Sequence, residues 1–242
     1  MRYVGSKNKL SKELSPIIQK YIDDNNVKCY IEPFVGGANM IDKIECDKKI
    51  GFDAHKQLIE LLRKAQTDFE FPERILEDEY IEVKNNKNKY PDWHVGFIGF
   101  CASFGAKYFG GYARDSKNDN SGKWSAGAIR NLNKQRENIK NVDFRICDFR
   151  NIKEDDFTNC IIYCDPPYEN TTKYSTDKFP HDEFWDWCRQ MSKNNIVLVS
   201  EYNAPDDFEC VWQKEVKALL DSNKKSDDNT NNRIEKLFKI KY

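Results

Sequence analysis

Residues 161–168 read IIYCDPPY, an apolar run that ends in Asp165, Pro166, Pro167 and Tyr168. Two consecutive prolines confine the backbone after Asp165 to a narrow range, so carboxylate, carbonyls and aromatic ring are aimed before any ligand arrives. That set suits a planar aromatic amine. The ring stacks on Tyr168, and the amino group donates to Asp165 and a proline carbonyl, which leaves the nitrogen lone pair pointing at an electrophile. Asp-Pro-Pro also occurs as a plain turn, but the apolar strand before it and the tyrosine after it favour the chemical reading.

A second set surrounds Gly36. In residues 31–40, IEPFVGGANM, a strand ends at Phe34, Gly36-Gly37 makes a tight turn, and Ala38 and Asn39 are expected to open a helix. Glycine lets backbone approach a ligand closely, and a helix N-terminus offers free N–H groups at the carboxyl edge of a sheet. Asp53 ends the next strand 17 residues after Gly36, near the spacing of about 20 at which a carboxylate holds ribose hydroxyls. It could equally cap a helix beginning near His55. Asp148, at the end of a third strand, is either an acceptor for an exocyclic adenine amine or a turn aspartate.

These groups need a frame. Short β-branched and aromatic runs at 28–34, 49–54, 142–149, 160–166 and 195–202 read as buried parallel strands, and 208–218 with 233–242 as a terminal antiparallel hairpin. Helical spacing separates them. Leu10, Leu14, Ile17, Ile18, Tyr21 and Ile22 share a face, with Pro16 kinking or restarting the helix. Leu58, Leu61, Leu62 and Ala65 share another, as do Phe184, Trp187, Cys188 and Met191. Strand–helix alternation predicts a doubly wound α/β fold. The stretch 69–140 interrupts it with a Lys/Asn-rich segment, a Gly/aromatic segment, a polar loop and a basic helix from about Trp124. The reading is therefore a sheet domain from 1–68 and 141–242, with 69–140 as an inserted small domain.

Composition narrows the classes. The chain has 242 residues with 39% hydrophobic and 13% aromatic content, enough for one core without staples and too aromatic for disorder. No apolar run approaches the ~20 residues of a membrane helix, and the basic N-terminus lacks a signal peptide's apolar stretch. Eight scattered cysteines without CxxC and three histidines argue against structural zinc and for a reducing cytoplasm. The net charge of -1 hides an asymmetry: residues 107–150 carry ten Lys/Arg against five Asp/Glu, and residues 151–210 five against thirteen.

With RYVGSKNKL at the N-terminus, PFVGGAN and DPPY, the chain resembles S-adenosylmethionine-dependent amino methyltransferases of DNA, specifically the Dam-like adenine-N6 methylases (alpha group, D12 class). The order of motifs is that of the alpha group, and SFGAKYFGGYAR, residues 103–114, looks like a signature of phage and bacterial adenine methylases. Ala38 stands where many members have another glycine. The resemblance implies a Rossmann-like methyltransferase fold with a seven-stranded mixed sheet and a helical target-recognition insert. It implies that Tyr3, Lys7, Pro33, Phe34, Gly36, Asp53, Asp148, Phe149 and Asp165 hold S-adenosylmethionine, with Lys7 near its carboxylate, and that Asp165, Pro166, Pro167 and Tyr168 form the base pocket. No metal is required, because the sulfonium methyl is already activated. DPPY alone also admits cytosine-N4; the adenine reading rests on the arrangement of the whole chain.

Double-stranded DNA is then the expected partner. Lys107, Arg114, Lys117, Lys123, Arg130 and Lys134 would meet phosphates, Arg114, Lys117 and Asn118 could read base edges, and Lys173 follows the catalytic motif. Tyr108, Phe109, Tyr112 and Trp124 are either wedges beside a flipped base or core of the insert. A cytoplasmic monomer or weak dimer, with a possible cognate restriction endonuclease, completes the expectation. Two rivals remain: the same fold acting on cytosine N4 or on RNA, and a catalytically silent DNA-binding module, against which the intact Asp165–Tyr168 quartet speaks.

Overall fold

The computed structural model describes residues 1–114, 116, 121–168, 179–217 and 232–241. Lys117, Asn118 and Lys173 lie outside the described residues. In chain order the elements are α1 (Ser11–Asp24), β1 (Cys29–Glu32), β2 (Lys48–Asp53), α2 (Lys56–Ala65), α3 (Glu77–Asn85), α4 (Asp92–Cys101) and α5 (Lys123–Ile139). Then follow β3 (Val142–Ile146), β4 (Cys160–Cys164), α6 (His181–Met191), β5 (Ile196–Glu201), β6 (Phe208–Lys217) and β7 (Asn232–Ile240).

The strands form a seven-stranded sheet in the order β3-β2-β1-β4-β5-β7-β6. β1 to β5 are parallel, while β7 runs antiparallel to both β5 and β6. Alternate side chains of β4 show how the layers are made. Ile161 and Tyr163 join the core under α1, α2 and α4, whereas Ile162 and Cys164 join the core under α6. β4 is buried along its whole length, which is why its sequence is continuously apolar.

The first helix runs through Pro16 as one element. A proline there removes one backbone hydrogen bond, and the buried face of Leu14, Ile18 and Ile22 outweighs that loss. The helix expected to open at Ala38 is absent. Gly36 and Ala38 take positive φ (48° and 56°), and only a 3-10 turn, Ile41–Lys43, follows. Helix α2 is capped by His55, whose ring nitrogen accepts the Leu58 N–H at 3.3 Å. Asp53 supports that cap by accepting the His55 N–H at 2.9 Å.

Helices α4 and α5 of the 69–140 stretch share one apolar cluster with α1, α2 and the sheet face. Gly96 makes that possible: a Cβ there would lie 2.1 Å from the Gln57 carbonyl of α2. Among the described residues no helix is long and apolar enough to cross a membrane.

Candidate active site

The sheet order reverses between β1 and β4. In doubly wound sheets, ligands bind at the carboxyl ends of the strands on either side of such a switch point. Residues 33–37 leave the carboxyl end of β1 there, and residues 165–168 leave that of β4. Lys7, in a 3-10 turn before α1, reaches the same place: its Nζ lies 3.1 Å from Asp165 Oδ1 and 3.4 Å from Glu235 Oε2. It also sits 4.1 Å above the centre of the Tyr168 ring. The Tyr168 hydroxyl donates to Glu235 at 2.9 Å, and its ring meets Tyr202 edge-on at 4.6 Å.

Electrostatics follow from this burial. Desolvation pushes the Asp165 carboxyl above its ordinary value, against the opposing pull of the Lys7 ammonium. Desolvation lowers the Lys7 pKa, but Asp165 and Glu235 outweigh it and keep the ammonium charged well into the alkaline range. One cation is thus shared by two carboxylates.

The glycine loop is fixed from three sides. Its Gly36 N–H donates to Asp53 Oδ2 at 3.1 Å. The Tyr3 ring packs where a Gly36 side chain would stand, 2.9 Å from an added Cβ. From α5, Gln135 Nε2 donates to the Ala38 carbonyl at 2.7 Å, to the Gly37 carbonyl at 3.2 Å and to Asp42 at 2.9 Å. Smallness is therefore not the whole matter at Ala38: its left-handed φ of 56° is one that glycine adopts without strain.

Asp53 spends one oxygen on Gly36 and one on His55, with a second lone pair left on each. Burial raises its pKa against those two hydrogen bonds. Phe34, which follows β1, and Phe149, which follows β3, pack with Phe179, the three ring centres 5.5–5.7 Å apart. Phe34 and Phe179 are half-buried and Phe149 buried, so the cluster offers a partly open aromatic wall. Pro33 is buried under the loop. Asp148 is engaged locally: Arg150 binds both of its oxygens, at 2.8 and 2.9 Å, and lowers its pKa.

The expected DNA-binding residues divide. Lys123, Arg130 and Lys134 are exposed on α5 and fall within about 40° of one another around the helix, opposite its buried Ser125, Leu132 and Ile139. Lys123 and Arg130 line, with Arg74, a cavity of about 540 Å³. Lys107 is exposed, its stem against Gly110. Arg114 is ion-paired with Glu77 and lies over the Tyr112 ring. Tyr112 belongs to the frame of the insert, donating its hydroxyl to the Ile75 carbonyl at 2.9 Å. Phe109 is buried, and Tyr108 packs against His55 and Phe100. The outward aromatic is instead Phe104, 67% exposed and stacked on Trp124, whose ring also carries the Arg2 guanidinium at 4.6 Å.

Sequence reasoning missed Glu235, Gln135, Phe179 and Phe104. The first two act on partners far away in the chain, so no local pattern marks them. Phe104 stands inside the glycine/aromatic segment, and only the packing of its neighbours tells it apart.

A seven-stranded sheet of this order, antiparallel only where β7 pairs with β5 and β6, is the Rossmann-like methyltransferase fold. The model of one family, the D12 class N6 adenine-specific DNA methyltransferases, matches residues 3–95 and 93–227, and the chain belongs to that family. It is also similar to the Type II methyltransferase M.MjaIII of Methanocaldococcus jannaschii, with 26% identity over 204 residues covering 73% of this chain and 71% of that protein.

Proposed function

We propose that this chain is a site-specific DNA methyltransferase that carries the methyl group of S-adenosylmethionine to the exocyclic amine of a flipped-out adenine in duplex DNA. The observation that carries the reading is the placement of the Gly36 loop after β1, and of Asp165 and Tyr168 after β4, on the two sides of the switch point of the sheet.

The residues present suit the cofactor. Lone pairs of Asp53 remain for ribose hydroxyls, the bare Gly36 backbone allows close approach, and the wall of Phe34, Phe149 and Phe179 suits an adenine ring. Lys7 is held by Asp165 and Glu235, and this reading uses it in the base pocket. When bound, the cofactor supplies a methyl group already activated by its sulfonium. What the chain adds is position.

Tyr168 offers a ring face for the target base. Asp165 and the Pro166 carbonyl accept the two amine hydrogens, favour a tetrahedral nitrogen and stabilise the positive charge that develops on it. Lys7 covers that ring face at 4.1 Å, so it moves aside when the base enters. A duplex hides the amine, and extruding the base costs a few kcal/mol. Exposed Phe104 is suited to fill the gap, while Lys123, Arg130 and Lys134 hold phosphates. The working form under this reading is a cytoplasmic monomer or weak dimer, and a cognate endonuclease is compatible with it.

The test is chemical. The protein is incubated with unmethylated duplex DNA and S-adenosylmethionine, and the DNA is digested and its nucleosides weighed by mass spectrometry. N6-methyladenine is expected. N4-methylcytosine would transfer the mechanism to the other base, and the absence of any methylated base would refute the reading.

A further inference from the structure

Glu235 lies on β7, in the antiparallel pair at the end of the sheet, outside the Gly36 and Asp165–Tyr168 motifs. Its Oε2 nevertheless accepts the Tyr168 hydroxyl at 2.9 Å and faces Lys7 Nζ at 3.4 Å, with only 13% of the side chain exposed. Lys7 is 8% exposed and stands at once 3.1 Å from Asp165 and 4.1 Å above the Tyr168 ring. The ammonium therefore occupies both things a flipped base needs, the aromatic face and the carboxylate.

When the amine takes Asp165 and the base takes the ring, Lys7 must leave both. A buried ammonium stripped of its counter-ion costs several kcal/mol. One carboxylate is already within reach. We propose that Glu235 is a positioning residue for methyl transfer: it holds the Lys7 ammonium once the target base displaces it, and it fixes the Tyr168 ring through the hydroxyl. This rests on the methyltransferase reading above. It assigns the terminal hairpin, which the motifs leave with no role, a part in the base pocket.

The charged and titratable groups acting on Asp165 are Lys7 and Glu235, with Glu32, Tyr3, Tyr163 and Tyr168 around them. With Glu235 neutralised, Lys7 is left with Asp165 alone and competes with the amine for it. Burial is the main cause that raises the Asp165 pKa and the Glu235 charge adds to it, so with that charge gone Asp165 ionises at lower pH.

Wild-type protein, Glu235→Gln and Glu235→Asp are compared with duplex DNA and S-adenosylmethionine, measuring the single-turnover rate against pH, DNA affinity and Tm. Glu235→Gln keeps an acceptor for Tyr168 and removes only the charge. The expected result is a single-turnover rate lower by about 10- to 100-fold with DNA affinity within about twofold of wild type, the signature of an interaction used in the transition state. Its acid limb moves to lower pH, and Glu235→Asp keeps more of the rate than Glu235→Gln. A Glu235→Gln rate equal to wild type overturns the inference. So does a loss that tracks falling DNA affinity or Tm with an unmoved pH profile, or an aspartate variant slower than the glutamine one. A wild-type protein that methylates nothing sinks the underlying reading instead.

Discussion

The Glu32 carboxyl is enclosed at the end of β1, only 3% exposed, where it accepts the Tyr30 hydroxyl at 2.8 Å. Burial raises its pKa well above the ordinary 4.5, so the folded chain keeps the proton that the unfolded chain releases. The folded state then binds more protons than the unfolded state, and stability falls as pH rises above about 4.5 by up to ~1.4 kcal/mol per pH unit. Glu32→Gln keeps the oxygen that Tyr30 needs and has no proton to hold. Denaturant melts at pH 5.5 and 8 should show a smaller drop for Glu32→Gln than for wild type, and equal drops would mean that the carboxyl ionises in place. Asp165 is displaced in the same direction, with burial outweighing Lys7. The role proposed for it needs the carboxylate, so the methylation rate should fall on acidification with a midpoint above 3.8, the value of an unperturbed aspartate. A rate flat down to that pH would contradict the assignment.

At the scale of elements, the approach of α4 to α2 decides whether the 69–140 stretch holds its place. Gly96 permits it, and the obstacle to a side chain is backbone that cannot swing away. Gly96→Ala should cost about 1–3 kcal/mol by urea unfolding, as overpacking does, despite alanine's better helix propensity. An unchanged midpoint would show that the helices have room to separate. The strands β1, β4 and β5 were legible as short apolar runs with turn residues at their ends, β6 and β7 as a terminal pair with no helix between them, and α1, α2 and α6 because their apolar residues recur at helical spacing. The helix expected after Gly36-Gly37 was not legible, since positive φ at Gly36 and Ala38 diverts the chain into a 3-10 turn. The Asp165–Tyr168–Glu235 cluster was half legible. Asp165 and Tyr168 advertise themselves by the prolines between them, whereas Glu235 joins them only through strand pairing and the fold's closure. Tyr112 and Phe109 have the composition of a DNA wedge, yet Phe109 is buried and Tyr112 half-buried with its hydroxyl on the Ile75 carbonyl, and composition cannot separate those fates.

Across the whole molecule, a net charge of -1 conceals the face that matters. The exposed stripe of Lys123, Arg130 and Lys134 lies in the basic 107–150 stretch, and the acidic residues of 151–210 offset it in the total. If the stripe grips phosphates, replacing all three residues by glutamine should reduce the slope of log affinity against log salt by roughly two to three. An unchanged slope would move the DNA to another face. A grip of that kind would leave binding independent of the chemistry proposed at Asp165, and that independence gives the sharpest test. Asp165→Asn and wild-type protein are mixed in excess over unmethylated duplex DNA with S-adenosylmethionine, and N6-methyladenine is followed through a single turnover alongside DNA affinity. Wild type should form N6-methyladenine, while Asp165→Asn forms it at least ~10³-fold more slowly with DNA affinity within about threefold. Asp165→Asn methylating adenine at the wild-type rate would contradict the account.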